Sequence, residues 1–294
     1  MESVVVQVDL KPRSNAKISK KQDVRYGMKS EAKTLKRKSG EKYNEIETQV
    51  SQLEKIINWK WGKSEFLLPR SSFYYPYGTL FVGEYDFLRP DKGDIVIDAG
   101  ANIGDYTLKI CNKVSKVIAI EPDVKVLGFL HTNTQRCKNV IVVERALGGL
   151  NETINIAKNG IKVDTIDNIV EDLKLQPTIL KMDIEGYEGV ALEGMIRSIA
   201  SIKRAVLEIH NNENKTVCEK ILKENGFKIR YQSNRDVFRR IAVNIFTHPL
   251  SFISYEIKNK FYALRMVYQF LFFKRSIIPG CGQTPGMYML EAWK

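Results

Sequence analysis

The chain has 294 residues, 44% of them hydrophobic, which is enough for one large domain with additions or two small ones around a sizeable core. Four dispersed cysteines, Cys111, Cys137, Cys218 and Cys281, form no C-x-x-C pair. Their spacing indicates neither a zinc site nor a disulfide framework, and they read as buried thiols in a reducing compartment. No basic segment followed by an apolar run opens the chain, and no stretch approaches the roughly 18 to 20 apolar residues that cross a bilayer. The expectation is a cytoplasmic protein, with a membrane-peripheral role left open by its C-terminal third.

The net charge of +12 is unevenly placed. Residues 1–45 carry 12 Lys/Arg against 6 Asp/Glu, residues 46–214 carry 20 against 23, and residues 215–294 carry 14 against 5. Basic ends favour polyanions, whether RNA, acidic lipid head groups or phosphorylated substrates, although lysines also serve simply to keep a tail solvated. Residues 1–45 hold few apolar side chains and no sustained periodicity, and read as a basic, mobile extension. In residues 46–90, Val50, Leu53, Ile56 and Ile57 fall at helical spacing, which predicts a helical lead-in to the core.

From residue 91 to the end, short apolar runs alternate with helical stretches. "DIVIDAG", "KVIAIEPD", "VIVVERAL", "TILKMDIEG", "KRAVLEIHN" and "GFKIRYQ" read as strands. "NIGDYTLKICNK", "VKVLGFLHTNTQRC", "GYEGVALEGMIRSIA" and "NKTVCEKILKENG" read as helices. Such alternation predicts βαβ units and a doubly wound, mainly parallel sheet covered on both faces. Ligands of such sheets bind outside the carboxyl ends of the strands.

The first of these strands ends at Asp98 and runs into Gly100-Ala101-Asn102-Ile103-Gly104. Glycines permit a sharp turn and a close ligand approach, and the helix start beyond offers free N–H groups. A glycine turn of this kind also serves purely structural ends, and it lacks the middle glycine of the dinucleotide fingerprint. The second strand ends at Glu121, a spacing that suits acceptance of two ribose hydroxyls, or alternatively a favourable charge at a helix start. Asp98 at the loop mouth would repel a diphosphate and attract a ligand carrying an ammonium and a sulfonium, which points to S-adenosylmethionine.

The run from "FVGEYDFLRPDKGDIVIDAGANIGDYTL" through "VIAIEPD", "VERALGG", "VDTIDNIV" and "ILKMDIEGYEGVALEGM" to "AVLEIHN", roughly residues 80–211, resembles the FkbM-type family of class I S-adenosylmethionine-dependent methyltransferases. The resemblance implies a Rossmann-like sheet of seven strands with an antiparallel last strand, here "GMYMLEAWK". It further implies that Asp98, Gly100, Asn102 and Gly104 cradle the amino acid part of the cofactor. Glu121 would take the ribose, and Ala146 would lie beside adenine.

On the chemical side, period-two alternation sets Lys181 and Asp183 on one face of one strand end, and Glu208 and His210 on one face of another. An alcohol acceptor must lose a proton, so Asp183 or His210 is the expected base, with Lys181 orienting Asp183 or the acceptor oxygen. His210 is the sharper candidate because imidazole titrates near neutrality, although a strand-end histidine also bonds simply to backbone. Asp183, Glu185 and Glu208 are hard oxygen ligands that leave a metal-assisted variant open, but no motif compels one and no metal ligand is assigned. The chain lacks an N-P-P-[YF] segment, which favours oxygen over a base amino group as acceptor.

A helical aromatic and basic insertion is expected at about 235–283. Within it "YEIKNKFYALRMVYQFLFFKR" reads as one helix with Phe261, Leu264, Val267, Tyr268 and Leu271 on one side. It reads as a lid, as a patch on an anionic membrane surface, or as a packed structural helix. The functional expectation is O-methylation of a small molecule, sugar or glycan; the alternative is an RNA methyltransferase whose basic ends hold RNA. Oligomeric state is not legible.

Overall fold

The computed structural model describes residues 56–62, 64–72, 75–149, 161–273 and 287–294. The chain divides into two units, Met1–Ile57 and Asn58–Lys294, and the second holds the central sheet. The basic extension, Cys281 and residues 274–283 of the insertion lie outside the described residues.

Strand β1 (Ile56–Trp61) and β2 (Ser64–Pro69) form a two-stranded sheet around the turn at Gly62. This corrects the helical lead-in over residues 56–69; residues 46–55, with Val50 and Leu53, lie outside the described residues. Trp59, Trp61, Phe66 and Leu68 are buried at alternate positions, a period-two pattern that overrides the helical spacing begun at Val50. A π-helical segment, Tyr77–Val82, comes next and buries all six residues.

The central sheet contains β3 (Ile95–Ala99), β4 (Lys116–Ile120), β5 (Val140–Val143), β8 (Ile179–Met182), β9 (Arg204–Ile209), β10 (Lys228–Tyr231) and β11 (Tyr288–Trp293). Their order is β10-β11-β9-β8-β3-β4-β5, and β11 runs antiparallel between β9 and β10 while the other pairs are parallel. The doubly wound sheet with an antiparallel last strand is as expected. "VIVVERAL" is not one strand: it breaks at Glu144–Arg145, and β6 (Ala146–Leu147) pairs instead with β7 (Val163–Asp164). Arg145 turns to form an ion pair with Asp164 at this junction.

Between the strands lie α1 (Asp105–Ile110), α2 (Val124–Thr134), α3 (Ile166–Asp172), α4 (Glu188–Glu193) and α5 (Asn212–Glu224). Alternation along β4 supplies both cores. Ile118 and Ile120 join Ile166, Ala191, Leu192 and Leu222 on one face, and Ala119 meets Leu127 and Leu130 of α2 on the other. Helix α4 stops at Glu193, earlier than expected, and Gly194 packs so closely on Gly148 O that a Cβ there would lie 2.2 Å from it. Cys111 and Cys137 are joined in a disulfide, with Cα atoms 6.0 Å apart, which corrects their reading as free thiols. Their 26-residue separation hid a contact made by tertiary folding. Cys218 is free and buried.

The insertion forms α6 (Asn234–Thr247), α7 (Pro249–Lys258) and α8 (Tyr262–Phe273). The single helix expected from Tyr255 onward is interrupted. Lys260 and Phe261 adopt left-handed φ values of 52° and 58°, and Glu256 accepts the N–H groups of Ala263 and Leu264, capping α8. Arg240 of α6 and Arg230 of β10 both bond Glu291, fully buried on β11, and so fasten the insertion to the sheet. Among the described residues no helix is long and apolar enough to cross a membrane.

Candidate active site

The carboxyl ends of β3, β4, β8 and β9 open on one crevice. At the end of β3, Gly100 and Gly104 take φ values of 74° and 83°, and Asn102 takes 49°. Glycine meets no Cβ penalty there, and asparagine is among the few other residues that tolerate the conformation. At Gly100 the requirement is double, since a Cβ would lie 1.7 Å from Asp183 O. The turn is therefore pressed against the end of β8.

Asp98 is fully buried. Its Oδ1 lies 3.0 Å from Lys181 Nζ, and its Oδ2 accepts from Thr107 Oγ1 at 2.6 Å. Lys181 also donates to Gly100 O at 2.6 Å and Ala99 O at 3.3 Å. Burial alone would depress the Lys181 pKa, but Asp98 and Asp183 outweigh it and hold the ammonium above its usual range. Among the described residues no hydrogen bond joins Lys181 to Asp183, so the structure sets Lys181 to brace the loop rather than to orient that carboxylate.

Glu121 is buried at the end of β4, and each of its oxygens accepts a backbone N–H at 2.8 Å, from Asn102 and from Asp123. Burial raises its pKa. Each oxygen keeps a further lone pair, so the carboxylate can shape the loop and still accept from a ligand hydroxyl. Asn102 Oδ1 is buried without a hydrogen-bond partner. An orphan acceptor in a glycine turn above a carboxylate fits a cationic group, and the cradle fits S-adenosylmethionine. Ala146, expected beside adenine, lies in β6 just beyond the end of β5.

On the opposite wall, Asp183 accepts from Tyr85 Oη at 3.2 Å through Oδ2, and its Oδ1 lies 3.7 Å from His210 Nε2. The other ring nitrogen of His210, Nδ1, bonds the fully buried Glu188 at 2.8 Å. Burial pulls the imidazole pKa down, but the Glu188 bond and the charges of Asp183, Glu188 and Glu208 prevail and carry it up to about 9. This environment favours the protonated imidazole, which suits charge compensation better than the role of free base. Glu84 is pushed up to about 8 by burial and by Asp183 and Asp105, and Glu208 well up by burial and by Asp183 and Glu84. Asp183, Glu185 and His210 bring one ligand atom each within 4.8 Å of one another, a spacing that admits a divalent cation.

Sequence reasoning missed Glu84, Tyr85 and Glu188 as members of this cluster. Tyr85 lies 98 residues from Asp183, and only the three-dimensional turn after the π-helical segment brings it in. For Glu188, a fully buried carboxylate in the first turn of a helix was the available signal, but burial is not legible from a charged residue.

Strand order and antiparallel β11 are those of the Rossmann-like methyltransferase fold, and the turn after β3 fits S-adenosylmethionine. Residues 160–229 match the family model described as the methyltransferase FkbM domain, which supports an S-adenosylmethionine-dependent methyltransferase. The chain is 28% identical over 165 residues to the hexuronic acid methyltransferase AglP of Haloferax volcanii, covering 48% of this chain and 69% of that protein. Among solved structures, it is similar to a precorrin-6y C5,15-methyltransferase from Geobacter metallireducens at 18% identity, 51% and 71% coverage and a TM-score of 0.37. It is also similar to an rRNA methylase from Streptococcus thermophilus at 18% identity, 52% and 86% coverage and a TM-score of 0.39.

Proposed function

We propose that the protein methylates an oxygen of a sugar or glycan, with Asp183 as the acceptor-side base. The observation that carries this reading is the position of Asp183. Its backbone abuts the cofactor turn at Gly100, while its side chain accepts from Tyr85 and lies beside His210. The relative named as a hexuronic acid methyltransferase supports a sugar acceptor.

When bound, S-adenosylmethionine supplies a methyl group on a sulfonium, open to displacement by an oxygen nucleophile. The chain's own residues do the rest. Lys181, Asp98 and Glu121 hold the turn rigid, so that the approach distance is set by packed backbone rather than by a mobile loop. Asp183 Oδ1, the oxygen that Tyr85 leaves free, receives the hydroxyl proton. The His210 imidazolium, held by Glu188, compensates charge on Asp183 and on the developing alkoxide.

The experiment is transfer of labelled methyl to hexuronate-bearing saccharides by the native protein and by Asp183→Asn. The reading predicts transfer by the native protein and a loss of roughly 100-fold or more in kcat for the variant, with cofactor affinity retained. Unchanged turnover in Asp183→Asn would remove Asp183 from the mechanism. Transfer to none of these saccharides, with transfer to another hydroxyl compound, would remove the sugar.

A further inference from the structure

The insertion carries a feature that methyl transfer does not use. Val243, Phe246, Leu250, Ile253, Ile257, Phe261 and Leu264 are all exposed, and they recur every three or four residues across three successive helices. Phe246 is 87% and Leu250 80% exposed, values at which a large apolar side chain covers nothing of its own fold. The opposite side of the same helices faces inward: Val237, Ile241, Tyr255 and Ala263 are buried, and Tyr255 and Phe252 meet Phe81 at ring distances of 4.6 and 5.4 Å. Helices α6 and α7 thus each bury one side and expose large apolar side chains on the other, more than singly scattered surface residues would give.

The charges beside the stripe narrow the partner. Arg235 and Arg239 are exposed on α6, Arg265 on α8, and Lys260 in the turn between α7 and α8. The acids of the same described segment are Asp236, which is held by Ser233, and Glu256, which is buried under α8. An apolar strip flanked by cations, with its acids occupied, complements a surface that is apolar inside and negative at its boundary. The strip is mostly aliphatic, which suits acyl chains better than base stacking. Amphipathic helices that dock on a bilayer without spanning it lie in the interface plane.

We propose that α6, α7 and α8 form a docking surface for an anionic lipid bilayer, with the 243–264 stripe entering the acyl boundary and the flanking arginines and lysine meeting the head groups. A methyltransferase seated in this way would work on acceptors presented at a membrane surface.

The test is co-sedimentation of the full chain with vesicles of phosphatidylcholine alone and of phosphatidylcholine with phosphatidylglycerol, alongside Phe246→Gln/Leu250→Gln and Arg239→Gln/Lys260→Gln/Arg265→Gln. Both variants change exposed side chains outside the crevice, and retained S-adenosylhomocysteine binding reports that they fold. The proposal predicts sedimentation with the anionic vesicles. It predicts a loss of about tenfold for each apolar side chain withdrawn from the bilayer and about fivefold for each cation. Four results would overturn it. The folded protein could stay with neither vesicle, or bind both equally with the cation variant unaffected. It could be retained on RNA but not on vesicles, or form a dimer broken by Phe246→Gln/Leu250→Gln without vesicle binding.

Discussion

A single methyl group at Gly100 tests whether the cofactor turn is shaped by contact with the end of β8. In Gly100→Ala the residue would keep φ near 74°, which costs about 1–2 kcal/mol for an L side chain. The new Cβ would stand 1.7 Å from Asp183 O and 2.8 Å from its carbonyl carbon. Neither side can yield cheaply. Gly100 N is bonded to Ile120 O at 3.0 Å, and Asp183 N to Ala99 O at 3.0 Å, so relief requires the ends of β3 and β8 to part. Overpacking of this kind adds about 1–3 kcal/mol, for a total of about 2–5 kcal/mol. Two other glycines calibrate the figure. At Gly104 the backbone penalty is similar, but the nearest atom, Leu130 Cδ1 at 2.8 Å, is a movable side-chain end, so the cost should stay near 1–2 kcal/mol. At Gly128, inside α2 with nothing within 4 Å of the new Cβ, alanine should stabilise by up to about 1 kcal/mol. Urea unfolding of the three variants measures the series, and calorimetry with S-adenosylhomocysteine should show Gly100→Ala losing cofactor as well. If Gly100→Ala costs no more than Gly104→Ala, the turn is not held against β8 as described.

The buried charges give two further outcomes. Lys181→Met leaves Asp98 fully buried with only the Thr107 hydroxyl, which should cost about 3–5 kcal/mol and weaken cofactor binding, while adding Asp98→Asn recovers part of the loss; a rate defect at unchanged melting temperature would instead make Lys181 catalytic. The His210 pKa is raised in the folded chain from 6.5 to about 9, so its contribution to stability is fully present below pH 6.5 and is lost as pH rises through 9. Melting temperature should fall across that window in the native protein and fall less in His210→Asn; parallel profiles would dissociate His210 from the Glu188 bond.

The centre of the fold is legible in the sequence and its borders less so. The buried strands β3, β4, β8 and β9 announce themselves as unbroken apolar runs ending in acids or glycines, and for that reason Asp98, Glu121, Asp183 and Glu208 can be placed at one rim from the residues alone. The β1–β2 sheet reads wrongly as helix because Ile56 and Ile57 complete a helical spacing with Val50 and Leu53, whereas the tryptophans that decide the matter pack at Trp59 and Trp61. Spacing places Lys181 and His210 in the crevice, but their states depend on distant partners. The loop carbonyls accept from Lys181, and the bond to Glu188 favours the protonated form of His210, a partner that strand spacing does not reveal. The stripe on α6–α8 is half legible: spacing sets Phe261 and Leu264 on one side but not their exposure, since it marks an apolar face without saying what covers it.

The most direct measurement is calorimetric titration of the full chain with S-adenosylhomocysteine, native and Asn102→Gly. Glycine keeps the left-handed turn and removes only the amide whose buried Oδ1 has no partner. Saturable binding at one site per chain, weakened about tenfold in Asn102→Gly with the melting temperature held, is the predicted result. Absence of binding to the folded native protein would contradict the assignment of this turn to the methyl donor.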